Sequence, residues 1–330
     1  MTIGVVYSTM PESKPVVLIT GASSGIGLAL LQQLSKRLEQ YRVVATARNA
    51  SLHKFEELGF QNSQDLRILA LDVTSASERT AVIKQVESSW NGVDILINNA
   101  GISYRSVIEH SMEEDVQLQF ATNLYGPMHL TRLCLPGMRK KRAGHIINVS
   151  SVGGMMAMPT MGLYSASKFA LEGFSEALYY EMRPWNIKVS LVQPGFVRSN
   201  SFKNVYLSQA ARKAVEKADT YANYYWHMGN FISRLMNNAQ ATPESSARKI
   251  IKTMERPHPP LRVPVSWDAR FFTIFSRITP RPLYHHLLYR QLPGIKDWGT
   301  GNHQSLCAAK SLEEIIPANS KQRQTHAASD

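Results

Sequence analysis

The sequence predicts an α/β fold built on a doubly wound, mainly parallel sheet. Three observations point there. Between Pro15 and Gly195, short apolar runs rich in Val, Ile and Leu alternate with longer stretches of helical period. The runs are continuous rather than alternating, as in strands covered on both faces. Small or polar residues close most of them, at the strand ends where open parallel sheets bind ligands.

In chain order, strands are expected at Val16–Thr20, Arg42–Ala47, Leu66–Leu71, Ile95–Asn98, His145–Ser150 and Lys188–Gln193, with helices near 26–39, 76–90, 112–140 and 164–184. Right-handed crossovers would wind these units onto both faces of one sheet. Residues 14–200 thus form the expected core. Residues 201–293 read as a further part of the same domain ending in an amphipathic C-terminal extension, and 294–330, where Gly, Asn, Ser and Gln accumulate, as a flexible tail.

Composition narrows the function. Of 330 residues, 44% are hydrophobic and 19% charged, so a large core is affordable and wholesale disorder is not expected. Cys134 and Cys307 stand far apart without Cys or His ligand spacing, which argues against a disulfide scaffold and against a metal site. With no apolar run of about 18 residues and no signal-like N-terminus, a cytoplasmic protein is expected. The formal charge is +12, yet no nucleic-acid-binding signature accompanies it, so nucleic acid is not an expected partner. Residues 241–330 carry 13 Lys and Arg against 7 Asp and Glu, which concentrates positive charge in the extension.

The first strand runs into Thr20-Gly21-Ala22-Ser23-Ser24-Gly25-Ile26-Gly27, which opens a helix. Glycine lets the backbone approach a pyrophosphate and the helix approach the strand, and the helix N-terminus offers unpaired N–H groups to the phosphates. After the second strand comes Ala47-Arg48-Asn49 instead of the acid that accepts from a ribose 2′-hydroxyl. Arg48 can bind a 2′-phosphate, with Ser23 facing it, so NADP(H) is favoured over NAD(H).

The spacing Gly21-x-x-x-Gly25-x-Gly27 resembles the short-chain dehydrogenase/reductase family, a Rossmann-type group. The resemblance covers residues 14–200. It implies that Asp72 and Val73 contact the adenine, and that Asn99, Ala100 and Gly101 flank the adenine ribose. Tyr164 and Lys168 stand at i and i+4 of a predicted helix, hence on one face. A phenol titrates near 10, and a neighbouring ammonium favours its phenolate, so Tyr164 can act as acid–base. Ser151, 13 residues upstream, would bond the substrate oxygen, and Asn123 matches the family's fourth catalytic member, which kinks its helix.

The resemblance further gives Lys168 a second task on the nicotinamide ribose, and gives Pro194, Gly195, Val197 and Ser199 to the nicotinamide itself. Lys168–Gly173 and Ser151–Gly154 look most like the branch of steroid and retinol dehydrogenases. A homodimer or homotetramer, paired through the helices at 112–140 and 164–184, is implied by the family alone.

At the substrate end, Phe196, Phe202, Tyr206, Tyr221, Tyr224, Tyr225, Trp226 and Phe231 fall in the segment that the resemblance makes a helical lid over the nicotinamide, which should face Met155, Met156, Met158 and Met161. Together they suggest a wide apolar pocket for a small lipophilic substrate. Residues 268–292 form two basic amphipathic segments separated by Pro280 and Pro282. Packing of Phe271, Phe272, Phe275, Leu287 and Leu288 on the protein is the expected arrangement, and contact with an anionic membrane surface the competing one. The leading functional reading is an NADP(H)-dependent alcohol/carbonyl oxidoreductase for steroid, retinoid or long-chain substrates. Its alternatives are a 3-oxoacyl-thioester reductase and a nicotinamide-nucleotide sensor without turnover.

Overall fold

The computed structural model describes residues 14–199, 205–217 and 219–299. Its strands are β1 (Val16–Ile19), β2 (Arg42–Ala47), β3 (Leu66–Ala70), β4 (Ile95–Asn98), β5 (Tyr104–Arg105), β6 (Gly144–Val149), β7 (Ile187–Gln193), β8 (Tyr206–Leu207) and β9 (Arg262–Pro264). Seven form one sheet in the order β3-β2-β1-β4-β6-β7-β9. Every pair in it is parallel.

The helices are α1 (Gly25–Leu34), α2 (His53–Glu57), α3 (Ala76–Trp90), α4 (Glu113–Phe120), α5 (Gly126–Lys141), α6 (Gly162–Met182), α7 (Gln209–Glu216), α8 (Ala222–Asn237), α9 (Pro243–Met254), α10 (Trp267–Ile278) and α11 (Arg281–Arg290). They cover both faces of the sheet. On one face, Leu30, Leu31 and Leu34 of α1 meet Ile250, Ile251 and Met254 of α9 over the strands. On the other, Val82, Ile83 and Val86 of α3 pack with Leu130 and Met138 of α5 and Leu178 of α6. Burying one such side chain contributes about 1.5–3 kcal/mol, which is why the strands must be apolar on both faces.

The six expected strands form within one residue of their expected ends. β9 is an addition. It is three residues long and ends at Pro264, too short for a periodic signal, and it pairs Arg262 with Leu191 and Val263 with Val192 at the sheet edge, where proline is tolerated.

Two helices also differ from expectation. α1 stops at Leu34 and passes into a 3-10 turn at Ser35–Arg37. The helix expected over 112–140 is divided, with a π turn at Ala121–Tyr125 between α4 and α5. Pro127 has no N–H to return to the Asn123 carbonyl, so a regular α ladder cannot run through this point.

In the extension, Phe272, Phe275 and Leu288 are half-buried and Tyr284 is buried, whereas Phe271 and Leu287 are exposed. Packing on the protein therefore describes only one face of this segment. Among the described residues, no helix is long and apolar enough to cross a membrane.

Candidate active site

β1 has β2 on one side and β4 on the other, so the connections leaving them diverge and open a crevice at the strands' carboxyl ends. A cavity of about 420 Å³ lies there. Its wall contains Gly21, Ser23, Ser24, Gly25 and Ile26, then Arg48, Asp72, Val73, Asn99, Ala100 and Gly101. Ser151, Tyr164, Lys168, Pro194, Gly195 and Val197 also belong to it. Of the catalytic and cofactor-binding candidates, Gly27, Asn123 and Ser199 are not in this wall.

Gly27 acts from behind. A Cβ there would run into the Gly21 carbonyl, so glycine is what lets α1 start so close to the turn. Gly21 has φ +67, and its Cβ would lie 2.9 Å from Ala100 Cα. Thr20 locks the two loops together, because its Oγ1 accepts from the N–H groups of Asn99 and Ala100, both at 3.0 Å. The Asn99 amide donates to the carbonyls of Thr20 and Gly21 at 3.0 and 3.1 Å, so it shapes the glycine loop directly. Thr20 was quoted in the motif without a role, since this bridge spans two loops 79 residues apart.

The N-terminus of α1 reaches the cleft at Ser24, whose side chain makes no capping bond, and its first turn carries no acid. Its leading N–H groups are therefore free of a side-chain cap, which suits an anion. Arg48 is exposed at the end of β2. The Asp72 carboxylate accepts from Thr74 N and Oγ1 at 2.9 and 2.7 Å, which fixes the loop beside Val73.

Tyr164 and Lys168 lie on the face of α6 turned to the sheet. Lys168 Nζ donates to the Val149 carbonyl at 2.8 Å and sits 5.9 Å from the Tyr164 ring centre. Burial holds the Lys168 amine down to about 8, against the pull of Glu172. Burial likewise raises the Tyr164 phenol, while a hydrogen bond with Ser151 works in the opposite direction. The lowering of Tyr164 expected from the Lys168 ammonium is not found; desolvation raises the phenol, and the opposing influence comes from Ser151. Ser151 Oγ accepts from Gly153 N at 3.0 Å.

Asn123 sits in the π turn. Its Nδ2 donates to Ile102 O and to Ser167 Oγ, both at 3.0 Å, and its Oδ1 accepts from Ile102 N at 2.9 Å. It joins the loop after β4 to α6 one residue before Lys168. A Cβ on Gly101 would meet Asn123 Oδ1 at 3.4 Å and Lys168 Nζ at 3.8 Å, so all three share one corner.

The Pro194–Val197 loop is held by residues that the sequence did not single out. Gly195 N donates to Ser266 Oγ at 3.0 Å, Phe196 N to Asp268 Oδ2 at 2.7 Å, and Val265 N to the Gln193 carbonyl at 3.0 Å. Glu172, one turn beyond Lys168, accepts from Gln193 Nε2 at 2.9 Å and from Arg262 Nε at 3.0 Å. The available signal was Ser266-Trp267-Asp268, a helix-start pattern.

The apolar end of the cleft is lined by Met158, Met161, Phe196, Ile232 and Met236. Phe196 is in its expected place, but the structure corrects the expected aromatic lid at Tyr206, Tyr224 and Tyr225. Tyr206 stacks on Tyr104 with ring centres 5.2 Å apart, Tyr225 hydroxyl bonds His110 Nδ1 at 2.9 Å, and Tyr224 lies 4.3 Å from the Trp298 ring. Ile232 and Met236, one turn apart on α8, face the cleft instead. Met156 is buried and Met155 accepts from Thr273 Oγ1 at 3.3 Å. Phe202 lies outside the described residues.

A doubly wound sheet with a glycine-rich helix start at its switch point defines a Rossmann-type α/β protein, and Ser151, Tyr164 and Lys168 share its crevice. The chain belongs to the short chain dehydrogenase family, whose model matches residues 15–210, and it is an oxidoreductase of that family. It is 37% identical over 250 residues to the 3-ketodihydrosphingosine reductase of Bacteroides thetaiotaomicron, covering 76% of this chain and 87% of the relative. It is 35% identical over 258 residues to retinol dehydrogenase 8 of Bos taurus, covering 77% and 82%. A crystal structure of a short-chain dehydrogenase from Streptomyces avermitilis superposes with a TM-score of 0.67 at 29% identity, covering 84% of this chain and 97% of that one.

Proposed function

We propose that the protein interconverts a lipophilic alcohol and its carbonyl, with NADP(H) as hydride carrier and Tyr164 as acid–base. The observation that carries this reading is the meeting of Ser151, Tyr164 and Lys168 with the glycine loop and Arg48 in one cleft. The side-chain-free helix start at Ser24 and the steric need for glycine at 21 and 27 suit a dinucleotide pyrophosphate. Arg48 would take the 2′-phosphate, and Lys168 the nicotinamide ribose.

When bound, the nicotinamide ring supplies or takes the hydride. Ser151 Oγ accepts from Gly153 N, and its hydroxyl, which bonds Tyr164 in this structure, would be shared with the substrate oxygen. Tyr164 gives its proton to the oxygen of a carbonyl being reduced, or takes the proton of an alcohol being oxidised. With its amine near 8, Lys168 can exchange protons close to neutral pH and bias the phenol toward ionisation as the cleft fills. Asn123 holds α6 and the loop at Gly101 in register for this. Met158, Met161, Ile232 and Met236 fit an apolar substrate body. The relatives named for a long-chain ketone and for retinol support that substrate class over a compact acyl-thioester reductase. Phe169 and Tyr180 stand exposed on α6, which supports pairing of two copies there.

The test is NADPH oxidation by the purified protein with long-chain 3-ketones, retinal, ketosteroids and a 3-oxoacyl thioester, beside the Tyr164→Phe variant. Turnover of a lipophilic carbonyl is expected, falling roughly 100-fold in the variant while NADPH binding survives. Equal rates in both proteins, or turnover of the thioester alone, would reject the reading.

A further inference from the structure

Helix α10 has two faces with different surroundings. Inward, Asp268 and Thr273 reach Phe196 and Met155 beside the apolar end of the cleft. Outward, Trp267, Phe271, Ile274 and Ile278 recur at i, i+4, i+7 and i+11, so they form one stripe along the helix. Trp267 is 76% exposed, Ile274 59% and Ile278 73%. Trp267 and Phe271 stack on each other, with ring centres 5.8 Å apart. On α11, Leu283 and Leu287 are exposed one turn apart.

The charges around this stripe have one sign. Arg270, Arg277, Arg281 and Arg290 are all exposed on α10 and α11. The one acid in the two helices is Asp268, and its carboxylate is turned onto Phe196 N. A second copy docked face to face would set these arginines against their own kind. Residues 300–330 carry three Lys and Arg and three Asp and Glu, so they bring no net negative charge to cover them. An anionic lipid surface matches both properties, because its headgroups pair with arginine and its acyl boundary takes up the apolar stripe.

We propose that the outer face of α10, with the adjoining face of α11, seats on an anionic lipid surface, from which the lipophilic substrate enters the cleft. The seated helix is itself a wall neighbour of the cleft, since Thr273 touches Met155 and Asp268 holds Phe196. Substrate leaving the surface would cross about one helix thickness, roughly 10 Å, to reach the site. Docking does not depend on the oxidoreductase reading; delivery of substrate does.

The full-length protein is mixed, without cofactor or substrate, with vesicles of phosphatidylcholine alone or with an equal part of phosphatidylglycerol. Sedimentation with the mixed vesicles, severalfold weaker on pure phosphatidylcholine and lost in 0.5 M NaCl (about half of the usual Debye length), is expected. The emission of Trp267 should shift to the blue with vesicles, and Trp267→Phe should abolish that shift. Ile274→Glu with Ile278→Glu should abolish vesicle binding at an unchanged melting temperature, and Arg277→Glu with Arg281→Glu should weaken it. No sedimentation of the wild-type protein would overturn the proposal. So would a melting temperature lowered by several degrees in the Ile274/Ile278 variant, which would mean that the chain or a second copy covers the stripe.

Discussion

The carboxylate of Asp268, at the start of α10, accepts from the backbone N–H of Phe196 at 2.7 Å, and so the C-terminal extension sets the shape of a cleft loop formed some 70 residues earlier. A charge-assisted bond of this kind contributes about 1.5–3 kcal/mol when well sheltered, less where water competes. Asp268→Ala should raise KM for NADPH about 10-fold with a smaller change in kcat. Asp268→Asn keeps an acceptor oxygen and should restore most of the loss. Steady-state kinetics of the two variants decide it, and equal damage from both would mean that the contact does not position the loop.

Gly27 and Gly25 make a contrasting pair. A Cβ at Gly27 would strike the Gly21 carbonyl, whereas one at Gly25 would meet nothing within 4 Å. Gly27→Ala should therefore damage the fold and lower the melting temperature by many degrees. Gly25 has φ +55, so Gly25→Ala should cost about 1 kcal/mol in backbone strain and leave the fold intact. Its new methyl would enter the cleft, however, and NADPH affinity should fall at least 10-fold. Thermal melts and fluorescence titration separate the two effects.

Lys168 is held near 8 in the folded protein, against an ordinary 10.5. Below pH 8 the amine is charged in both folded and unfolded chains, and its burial lowers stability in full. Between 8 and 10.5 the unfolded chain holds the extra proton, so stability rises with pH. Lys168→Met removes the titration. Its melting temperature relative to wild type should be highest below pH 8 and fall steadily from pH 8 to 10. A difference independent of pH would show that Lys168 is not held down by burial.

Arg48 is exposed in the cleft wall at the end of β2. Arg48→Asp should weaken NADPH binding roughly 10- to 150-fold through loss of a charge-assisted contact. NADH binding should hold or improve, because a carboxylate accepts from a free 2′-hydroxyl. Dissociation constants for both nucleotides, measured without substrate, test this apart from catalysis. Unchanged discrimination would remove Arg48 from the cofactor site.

The sheet and most of the cleft could be read in advance for a physical reason. Gly21, Gly25, Tyr164 and Lys168 act through spacing within one turn or one helix, and strand ends follow from runs of buried residues. Ser266 and Asp268 were hidden because β9 brings them to the loop after β7, and three residues ending in a proline give no periodicity. Tyr221, Tyr224 and Tyr225 were assigned to the cleft by their chemistry. The turn of α8 instead presents Ile232 and Met236 there, and composition alone does not show which way a helix face will point. Asn123 and the break at Pro127 are both legible, but where the Asn123 amide points is set by its contacts with Ile102 and Ser167, far apart in sequence.

The position of β9 also bears on how the chain is made. β7 ends at Gln193, but its outer hydrogen-bonding edge is closed only by Arg262–Pro264. A ribosome adding about 5–20 residues per second needs roughly 4–14 s for the intervening 70 residues. During that interval the nascent sheet carries an open edge of Leu191, Val192 and Gln193, the kind of strand that recruits strands from other chains. Release of the chain before Pro264 would leave that edge unpaired for good, making a premature stop in the extension a cause of aggregation as well as of lost activity.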